Sequence, residues 1–408
     1  MSMQTYSWKF RITAWSIIFT LVVILCEVLA NFYLKQRLGI LASLFKQNPN
    51  MGYFPVPKKK INFHFEDNDF QSTHDISINS KGLRDKERAY DKQEKVHRIL
   101  VLGDSMVFAN QVEKERRFTE ILESELNQVN NKNHYEVINA GVDGYGTVNE
   151  LLFFLHEGFK YQPDTVVLSF CITNDVLDNS RILLRKEKQY FIDRPYYVLE
   201  DGVLSLRNYP CKSSIVNLSS IYLLISNATG YYFPKFVEWT NGYGLLSSFP
   251  LYGEYVQEGI PLHMRFYFKT YDPDLVKAWD ITKALITKFR DEVIKRNARF
   301  VVLIIPYKLQ LNNIQYWEWT NQYFPAVRNI SLNMDKPSRL LNTYLSENEI
   351  PFVDLLPLFY DYERVESKPL YFKNDIHLNE QGHKLVAQIL LKSLLSERIL
   401  KDGIIWDY

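Results

Sequence analysis

The feature that most constrains the fold of this chain is a repeated alternation of short apolar runs with helical patterns. The first run, RILVL at 98–102, precedes a helical pattern at 118–127, where apolar residues recur three and four positions apart. A second run at 135–139 precedes a helix at 148–159, and a third run covers 164–170. Strands that alternate with helices at this spacing form a parallel sheet with right-handed crossovers. The sequence therefore predicts an α/β fold.

The alternation stops over 181–272, an aromatic-rich stretch without a clean period, and then resumes. A helix at 273–297, a strand at 299–306, a helix at 337–347 and the strand PFVDLL precede a loop and a closing helix. We therefore expect one discontinuous domain, an insertion that forms a cap, and a short C-terminal tail. Their boundaries are 96–180 and 273–396 for the domain, 181–272 for the insertion and 397–408 for the tail. A sharper hypothesis is that aromatic residues of the insertion, such as Trp239, line a substrate groove.

The N-terminus carries an apolar run at 12–34, after a short tail at 1–11. Its length is about what a helix needs to cross a bilayer. It fits a signal peptide cleaved after Ala30, or a transmembrane signal-anchor, and the continuation of the run past Ala30 favours the anchor. Basic residues flank both ends, so the positive-inside rule does not fix its orientation. Residues 35–95 are expected to form a connector with short strands.

Charge and cysteine content exclude several classes of protein. The net charge is +1, with acidic and basic residues mixed along the chain, whereas a nucleic-acid binder usually carries a basic face. Three cysteines are too few for a disulfide framework. No Cys/His cluster has the spacing of metal ligands, so neither a metal nor a cofactor is predicted.

Polar residues follow the three strands and precede the last helix. They are Ser105 after the first strand, Gly144 after the second, Asn174 after the third, and Asp375 and His377 in the final loop. The carboxyl ends of parallel strands meet at one edge of a sheet, where ligands bind. Acyl transfer needs this inventory: a hydroxyl nucleophile, an imidazole to take its proton, a group to orient the imidazole, and donors for the oxyanion.

Each of these residues also has a purely structural interpretation. Ser105 alone would serve as a helix N-cap, and Asn174 would cap the helix that follows it. Gly144 would form part of a tight turn, and Gly141 and Gly146 compete with it for a role in the oxyanion hole. The histidine would be an ordinary loop residue. The combination of all these groups, each at a strand end or in the closing loop, favours a catalytic site.

Four blocks in order carry a resemblance to a known superfamily: GDS at 103–105, NAGVDGYGT, ITND and NDIHLN. They resemble the SGNH hydrolases, or GDSL-type esterases, over about 96–180 and 290–396. The resemblance implies a three-layer α/β/α, flavodoxin-like sandwich with a parallel sheet. It also implies Ser105 as nucleophile, His377 as general base and Asp375 as the acid that orients it. The implied oxyanion hole consists of the backbone N–H groups of Ser105 and Gly144 and the side chain of Asn174.

Two positions depart from the usual pattern of that superfamily. Ile172 stands where a glycine usually precedes the asparagine by two positions. Asp375 precedes His377 by two residues instead of three, and Asn374 occupies the usual position of the acid. The N-terminal run and the stretches INSKGLRDKE and GYGTVNELL are similar to a bacterial, membrane-tethered branch, whose catalytic domain lies outside the cytoplasm. We therefore expect a single-pass protein of the cell membrane with an extracytoplasmic domain.

Three functions remain open from the sequence. The first is serine-dependent hydrolysis of an extracytoplasmic ester, carried by a small molecule, a glycan or a lipid, with glycan O-acetyl groups as one candidate. The second is O-acyl transfer to an extracellular polysaccharide through the same acyl-Ser105 intermediate, which the sequence does not separate from hydrolysis. The third is a tethered binding or assembly protein without catalysis. The sequence identifies no protein partner.

Overall fold

A computed structural model of the chain describes residues 8–38, 40–68, 70–129, 134–186, 194–207, 221, 224–225, 256–257, 260–311 and 314–396. Its strands, in chain order, are β1 Phe45–Asn48, β2 Gly52–Pro55, β3 Lys60–Asp67, β4 Phe70–Ser77, β5 Val96–Gly103, β6 His134–Gly141, β7 Thr165–Cys171, β8 Tyr196–Glu200, β9 Val203–Arg207, β10 Val256–Gln257, β11 Ile260–Pro261, β12 Arg299–Ile305 and β13 Phe352–Asp354. Its α-helices are α1 Trp8–Leu38, α2 Ser105–Phe108, α3 Phe118–Val129, α4 Thr147–His156, α5 Ile172–Asp178, α6 Arg181–Lys186, α7 Pro273–Ile294, α8 Ile314–Tyr323, α9 Lys336–Glu347, α10 Leu356–Glu366 and α11 Glu380–Leu395.

A five-stranded parallel sheet forms the centre of the fold, in the order β6-β5-β7-β12-β13. Numbered along the chain within this sheet, the order is 2-1-3-4-5, which is that of flavodoxin-like proteins. The chain builds the sheet first to one side of β5 and then to the other, so the topological switch point lies between β5 and β7. In open α/β sheets the ligand crevice lies outside the strand ends at that point.

Helices cover both faces of the sheet. Successive side chains of a strand point to opposite faces, so Leu100 and Leu102 of β5 join one hydrophobic core while Ile99 and Val101 join the other. Helices α4, α5, α7 and α9 contribute apolar residues to the first core, and α3, α10 and α11 contribute to the second. The predicted three-layer α/β/α sandwich with a parallel sheet is confirmed.

Element boundaries follow local capping signals. Asp272 accepts hydrogen bonds from two N–H groups of the first turn of α7, and Pro273 occupies the first turn of that helix, where its missing donor costs nothing. Asn379 caps α11 by accepting from the Gly382 N–H. The strand predicted as PFVDLL ends at Asp354, and the following leucines begin α10. Neither α8 nor α10 is anticipated by the apolar spacing of the sequence.

Residues 40–95 form two antiparallel hairpins, β1–β2 and β3–β4, which pack on the domain. Leu44, Ile61, Ile76 and Ile78 are buried together with Phe108 of α2. The stretch NPNMGYFPVPKKKINF at 48–63 predicts an extended connector that leads to a short strand. The structure instead places four strands over 45–77, because alternate side chains of β3 and β4 turn toward the domain.

Helix α1 contains an apolar span, Ile12–Phe32, of 21 residues with a mean hydropathy of 2.4. Its large apolar side chains face outward, so they do not belong to the core of the domain. A helix of this length and composition fits either a membrane anchor or a signal sequence.

The insertion is described only in part. Its described residues include the antiparallel hairpin β8–β9 and the short pair β10–β11. Trp239 and most of the other aromatic residues of the insertion lie outside the described residues, as do the tails at 1–7 and 397–408.

Candidate active site

Ser105 lies directly after the first strand of the sheet, at the start of the four-residue helix α2. The N-cap of this helix is Asp104, whose Oδ1 accepts a hydrogen bond from the Met106 N–H at 2.8 Å. The cap position is therefore filled by the aspartate, and the serine side chain is available for other contacts. Gly103 allows the tight turn, because a Cβ there would lie 2.3 Å from Cγ2 of Val107.

The structure brings Ser105, His377 and Asp375 into one chain of hydrogen bonds. Nε2 of His377 lies 2.8 Å from Oγ of Ser105, and Nδ1 lies 2.5 Å from Oδ1 of Asp375. The same carboxylate oxygen accepts the backbone N–H of His377 at 2.7 Å. Asp375 thus folds back on the chain in an Asx-type turn. That turn explains how a carboxylate only two residues from the histidine reaches its ring.

The charges around His377 favour its protonated form. Burial lowers the pKa of the imidazole, but the hydrogen bond and charge of Asp375, helped by Asp143 and Asp104, raise it above its ordinary value. Burial raises the pKa of Asp375, yet the contact with His377 brings it below its ordinary value. When the imidazole is neutral, its proton therefore lies on Nδ1, facing Asp375, and the lone pair of Nε2 is directed at the serine hydroxyl.

Asn174 reaches the site through Asp104. Its Nδ2 donates to Oδ2 of Asp104 at 2.9 Å, while Oδ1 of that carboxylate caps α2. Asp104 therefore links the helix after β5 to the helix after β7, across the switch point of the sheet. The contact also fixes the orientation of the amide, because only its nitrogen end is a donor.

Gly144 lies in the loop after β6 with φ at +74°, a conformation that favours glycine. A Cβ at this position would stand 2.7 Å from the Tyr53 hydroxyl, which donates to the Asp143 carbonyl. Arg194, from the insertion, donates to the Gly144 carbonyl at 3.1 Å. In the described part of the chain no hydrogen bond joins Gly144 to the serine, the histidine or Asn174.

Three residues that the sequence did not single out lie beside these groups. Asp143 is half-buried, and burial raises the pKa of its carboxyl while the charge of His377 lowers it. Nε2 of Gln111 lies 2.8 Å from Nδ1 of His377. Buried Arg84 donates to the carbonyls of Phe108, Ala109 and Val112, and so holds the turn that carries Gln111. The stretch INSKGLRDKE is the only sequence signal that pointed toward Arg84.

No metal site accompanies this arrangement among the residues that the structure describes, where no group of three or more His, Cys, Asp or Glu could hold an ion. The described groups of the site can transfer a proton and supply a hydroxyl nucleophile.

Comparison with known proteins finds only distant similarity to solved structures. No family model matches the chain, and no curated protein matches it. Similar solved structures include a two-domain esterase active on acetylated mannans (TM-score 0.37, 11% identity, 77% of this chain and 52% of that chain). They also include TesA (TM-score 0.35, 12% identity, 73% and 98%) and a catalytic mutant of the acetylxylan esterase Axe2 from Geobacillus stearothermophilus (TM-score 0.36, 12% identity, 76% and 97%). At TM-scores below 0.5 these similarities establish neither the family nor the activity of the chain.

Proposed function

We propose that this protein is a serine esterase of the SGNH type that forms an acyl-Ser105 intermediate. The observation that carries the proposal is the 2.8 Å contact between Oγ of Ser105 and Nε2 of His377, whose other nitrogen is held by Asp375. A hydroxyl becomes an effective nucleophile when an oriented imidazole takes its proton. The alternative of a binding protein without catalysis gives no reason for this chain of contacts.

The reaction begins when Oγ attacks the ester carbonyl and its proton passes to Nε2. The imidazolium that forms is stabilised by Asp375 and by the neighbouring carboxyl of Asp143. The backbone N–H of Ser105, at the start of a helix, the N–H of Gly144 and the second N–H of the Asn174 amide supply the oxyanion donors. Collapse of the tetrahedral intermediate breaks the ester bond, and the imidazolium protonates the departing alcohol.

The acyl group in this proposal is small, with the O-acetyl group of a glycan as the first candidate. Ser105 is only 7% exposed, and a small acyl group needs the least space beside its hydroxyl. The alcohol part faces the open side, formed by exposed Gly144 and the half-buried Asn174. In the proposed arrangement the domain lies outside the cytoplasm, tethered by α1. An acceptor sugar that reaches the acyl enzyme in place of water would make the same site an O-acyltransferase.

The test is labelling of the full-length chain, in detergent micelles, with a fluorophosphonate, followed by peptide mass spectrometry. We expect an adduct on Ser105 that is lost in His377→Ala. His156→Ala is the matched control, since His156 is exposed at the last turn of α4. A folded wild-type protein without an adduct on Ser105 would contradict the proposal.

A second assay then identifies the acceptor. The protein is incubated with an acetylated oligosaccharide, with and without an unacetylated one, and the products are followed by NMR. Release of acetate alone indicates an esterase. Acetylation of the added oligosaccharide indicates a transferase.

A further inference from the structure

The loop that carries the acid–base pair is held at its base by an isolated antiparallel bridge between Tyr371 and Leu378. Within it, the Phe372 N–H donates to the His377 carbonyl at 3.1 Å. These contacts close the loop but do not fix its position relative to Ser105, which lies on a different element. Two other parts of the chain also contact the loop, one on each side.

On one side, the carboxylate of Asp67 binds the backbone of the loop. Its Oδ2 accepts the Lys373 N–H at 2.5 Å and its Oδ1 accepts the Asn374 N–H at 2.8 Å. Asp67 is the last residue of β3 and is 6% exposed. A buried carboxylate that accepts two backbone N–H groups forms strong, charge-assisted hydrogen bonds.

On the other side, the ammonium of Lys308 binds the carbonyls of the same loop. Its Nζ donates to Phe372 O and Lys373 O at 2.6 Å each, and to Asp375 O at 3.3 Å. Lys308 follows β12 and is 1% exposed. The N–H groups of the loop thus face a carboxylate, and its carbonyls face an ammonium.

The β3–β4 hairpin also contacts the loop and the turn after α2 through side chains. The ring of Phe372 lies 4.9 Å from that of Phe65 and 4.9 Å from that of Phe70. On the same hairpin, Nε2 of His74 lies 3.1 Å from the Asn110 carbonyl, in the turn that follows the nucleophile helix. The hairpin therefore spans from the nucleophile block to the acid–base loop.

We infer that Asp67 and Lys308 are positioning residues that hold the loop at 372–375 from its two sides and so set the distance between His377 and Ser105. The β3–β4 hairpin is then an obligatory part of the active site. The catalytic consequence rests on the proposed function, whereas the holding of the loop does not.

A dependence on pH follows from the environment of Lys308. Burial lowers the pKa of its ammonium to about 8, against the opposing charges of Asp67, Asp375 and Glu363, which face it from β3, from the loop and from α10. Loss of the proton removes one donor and the positive charge from the contacts that Lys308 makes with the loop. The rate of Ser105 labelling should therefore fall as the pH rises through about 8.

Stability should change in the opposite direction over the same range. The pKa of Lys308 is lower in the folded chain, so between about 8 and its ordinary value of 10.5 the unfolded chain binds more protons. The contribution of this group to stability therefore rises with pH. A fall in labelling over this range thus reports the position of the loop and not unfolding caused by this group.

The experiment compares Asp67→Asn, Lys308→Met and Lys308→Arg with wild type, using the full-length chain. Two variants elsewhere remove the same kinds of contact. Lys336→Met removes an ammonium from the carbonyls of Phe268 and Lys269, and Asp272→Asn weakens a carboxylate that accepts two N–H groups of α7. Hydrogen exchange of the peptide at 372–377 measures how the loop is held, and fluorophosphonate labelling against pH measures the consequence.

In Asp67→Asn and Lys308→Met we expect exchange at 372–377 at least about 10-fold faster and labelling slower by about 10²-fold. In Lys308→Arg we expect the alkaline fall in labelling to move above pH 10, because a guanidinium keeps its charge. The two control variants should change neither quantity. Unchanged exchange at 372–377 in folded Asp67→Asn and Lys308→Met would overturn the inference, even if the wild type took no label. Faster exchange together with a wild-type rate of Ser105 labelling would overturn the part of the inference that concerns catalysis.

Discussion

At the scale of single residues, the site depends on how one carboxylate approaches one imidazole. Asp375 accepts both the backbone N–H and the Nδ1–H of His377 through the same oxygen. Asp375 therefore reaches the imidazole ring although only one residue separates it from His377 in the chain. The resemblance implies Asp375 as the acid, but the sequence does not predict the turn, because that conformation depends on the contacts of the whole loop.

The first prediction concerns Asp375→Asn. Removal of the carboxylate takes away the charge that raises the pKa of His377 and the acceptor that fixes its tautomer. We expect the labelling rate of Ser105 to fall by about 10³–10⁴-fold. In this variant, the fall of the residual labelling rate in acid should occur at a lower pH than in wild type, because the imidazole stays neutral in more acidic solution. Asp335→Asn, at an exposed position, serves as the control. A wild-type rate would rule out Asp375 as the orienting acid.

The second prediction concerns Gln111, whose amide lies against Nδ1 of His377 while its Oε1 is buried with no hydrogen-bond partner in the described part of the chain. Gln111→Glu places a second carboxylate at Nδ1, which should raise the pKa of the imidazole further. The acidic fall in the labelling rate should then move to higher pH. Gln128→Glu, on the exposed face of α3, should leave the profile unchanged. An unchanged profile in Gln111→Glu would show that this amide does not act on the imidazole.

At the scale of secondary structure, α2 is too short to be stable alone and is held by its N-cap residue and by an arginine 24 to 28 residues away. Asp104 caps its first turn, and Arg84 donates to the carbonyls at and after its end. The apolar spacing of the sequence was sufficient to predict β5, α3 and α7. It was insufficient for α2 and for the role of Arg84, because hydrogen bonds between distant segments leave no local periodicity.

The third prediction concerns Arg84→Met, which removes the hydrogen-bond donor from three backbone carbonyls that stay buried. An unpaired buried polar group costs about 1–3 kcal/mol, so we expect the free energy of unfolding to fall by about 3 kcal/mol or more. Denaturation by urea, followed by circular dichroism, measures the change. Arg116→Met is the control, because the Arg116 side chain is 62% exposed and lies 4.0 Å from Glu380. Equal stabilities of the two variants would contradict the assigned role of Arg84.

The contrast between local sequence patterns and contacts between separate segments also explains which parts of the candidate site were predictable. Ser105, Asn174 and His377 stand at strand ends or in the closing loop, where a parallel sheet brings side chains together whatever the details. Gln111 and Asp67 act through contacts with segments 266 and 306 residues away in sequence, and Lys308 acts through contacts with a segment 64 residues away. Nothing in their immediate neighbours distinguishes them from ordinary polar residues.

At the scale of the whole molecule, the question is how α1 relates to the domain. A membrane anchor would keep the chain in the bilayer after extraction with alkaline carbonate, at its full length, whereas a cleaved signal sequence would release a shorter soluble protein.

The fourth prediction is that the full-length chain stays in the membrane pellet and that a chain beginning at Ile40 remains folded and is released. The exposed apolar surface of α1 and the burial of Leu44 are the reasons. A shortened, soluble product from the full-length gene would favour the signal sequence.

The short distance between α1 and the domain has a consequence for how a tethered form would meet its substrate. The apolar span of α1 ends at Phe32, and the helix continues for about 9 Å to Leu38. Leu44 is already buried against the domain, so the chain between Leu38 and Leu44 spans at most about 20 Å even when fully extended. Such a tether would confine the catalytic centre to a thin layer of space above the lipid headgroups. Turnover would then depend on the number of ester groups per unit area of membrane, and polymer chains beyond that layer would go unmodified however concentrated they were.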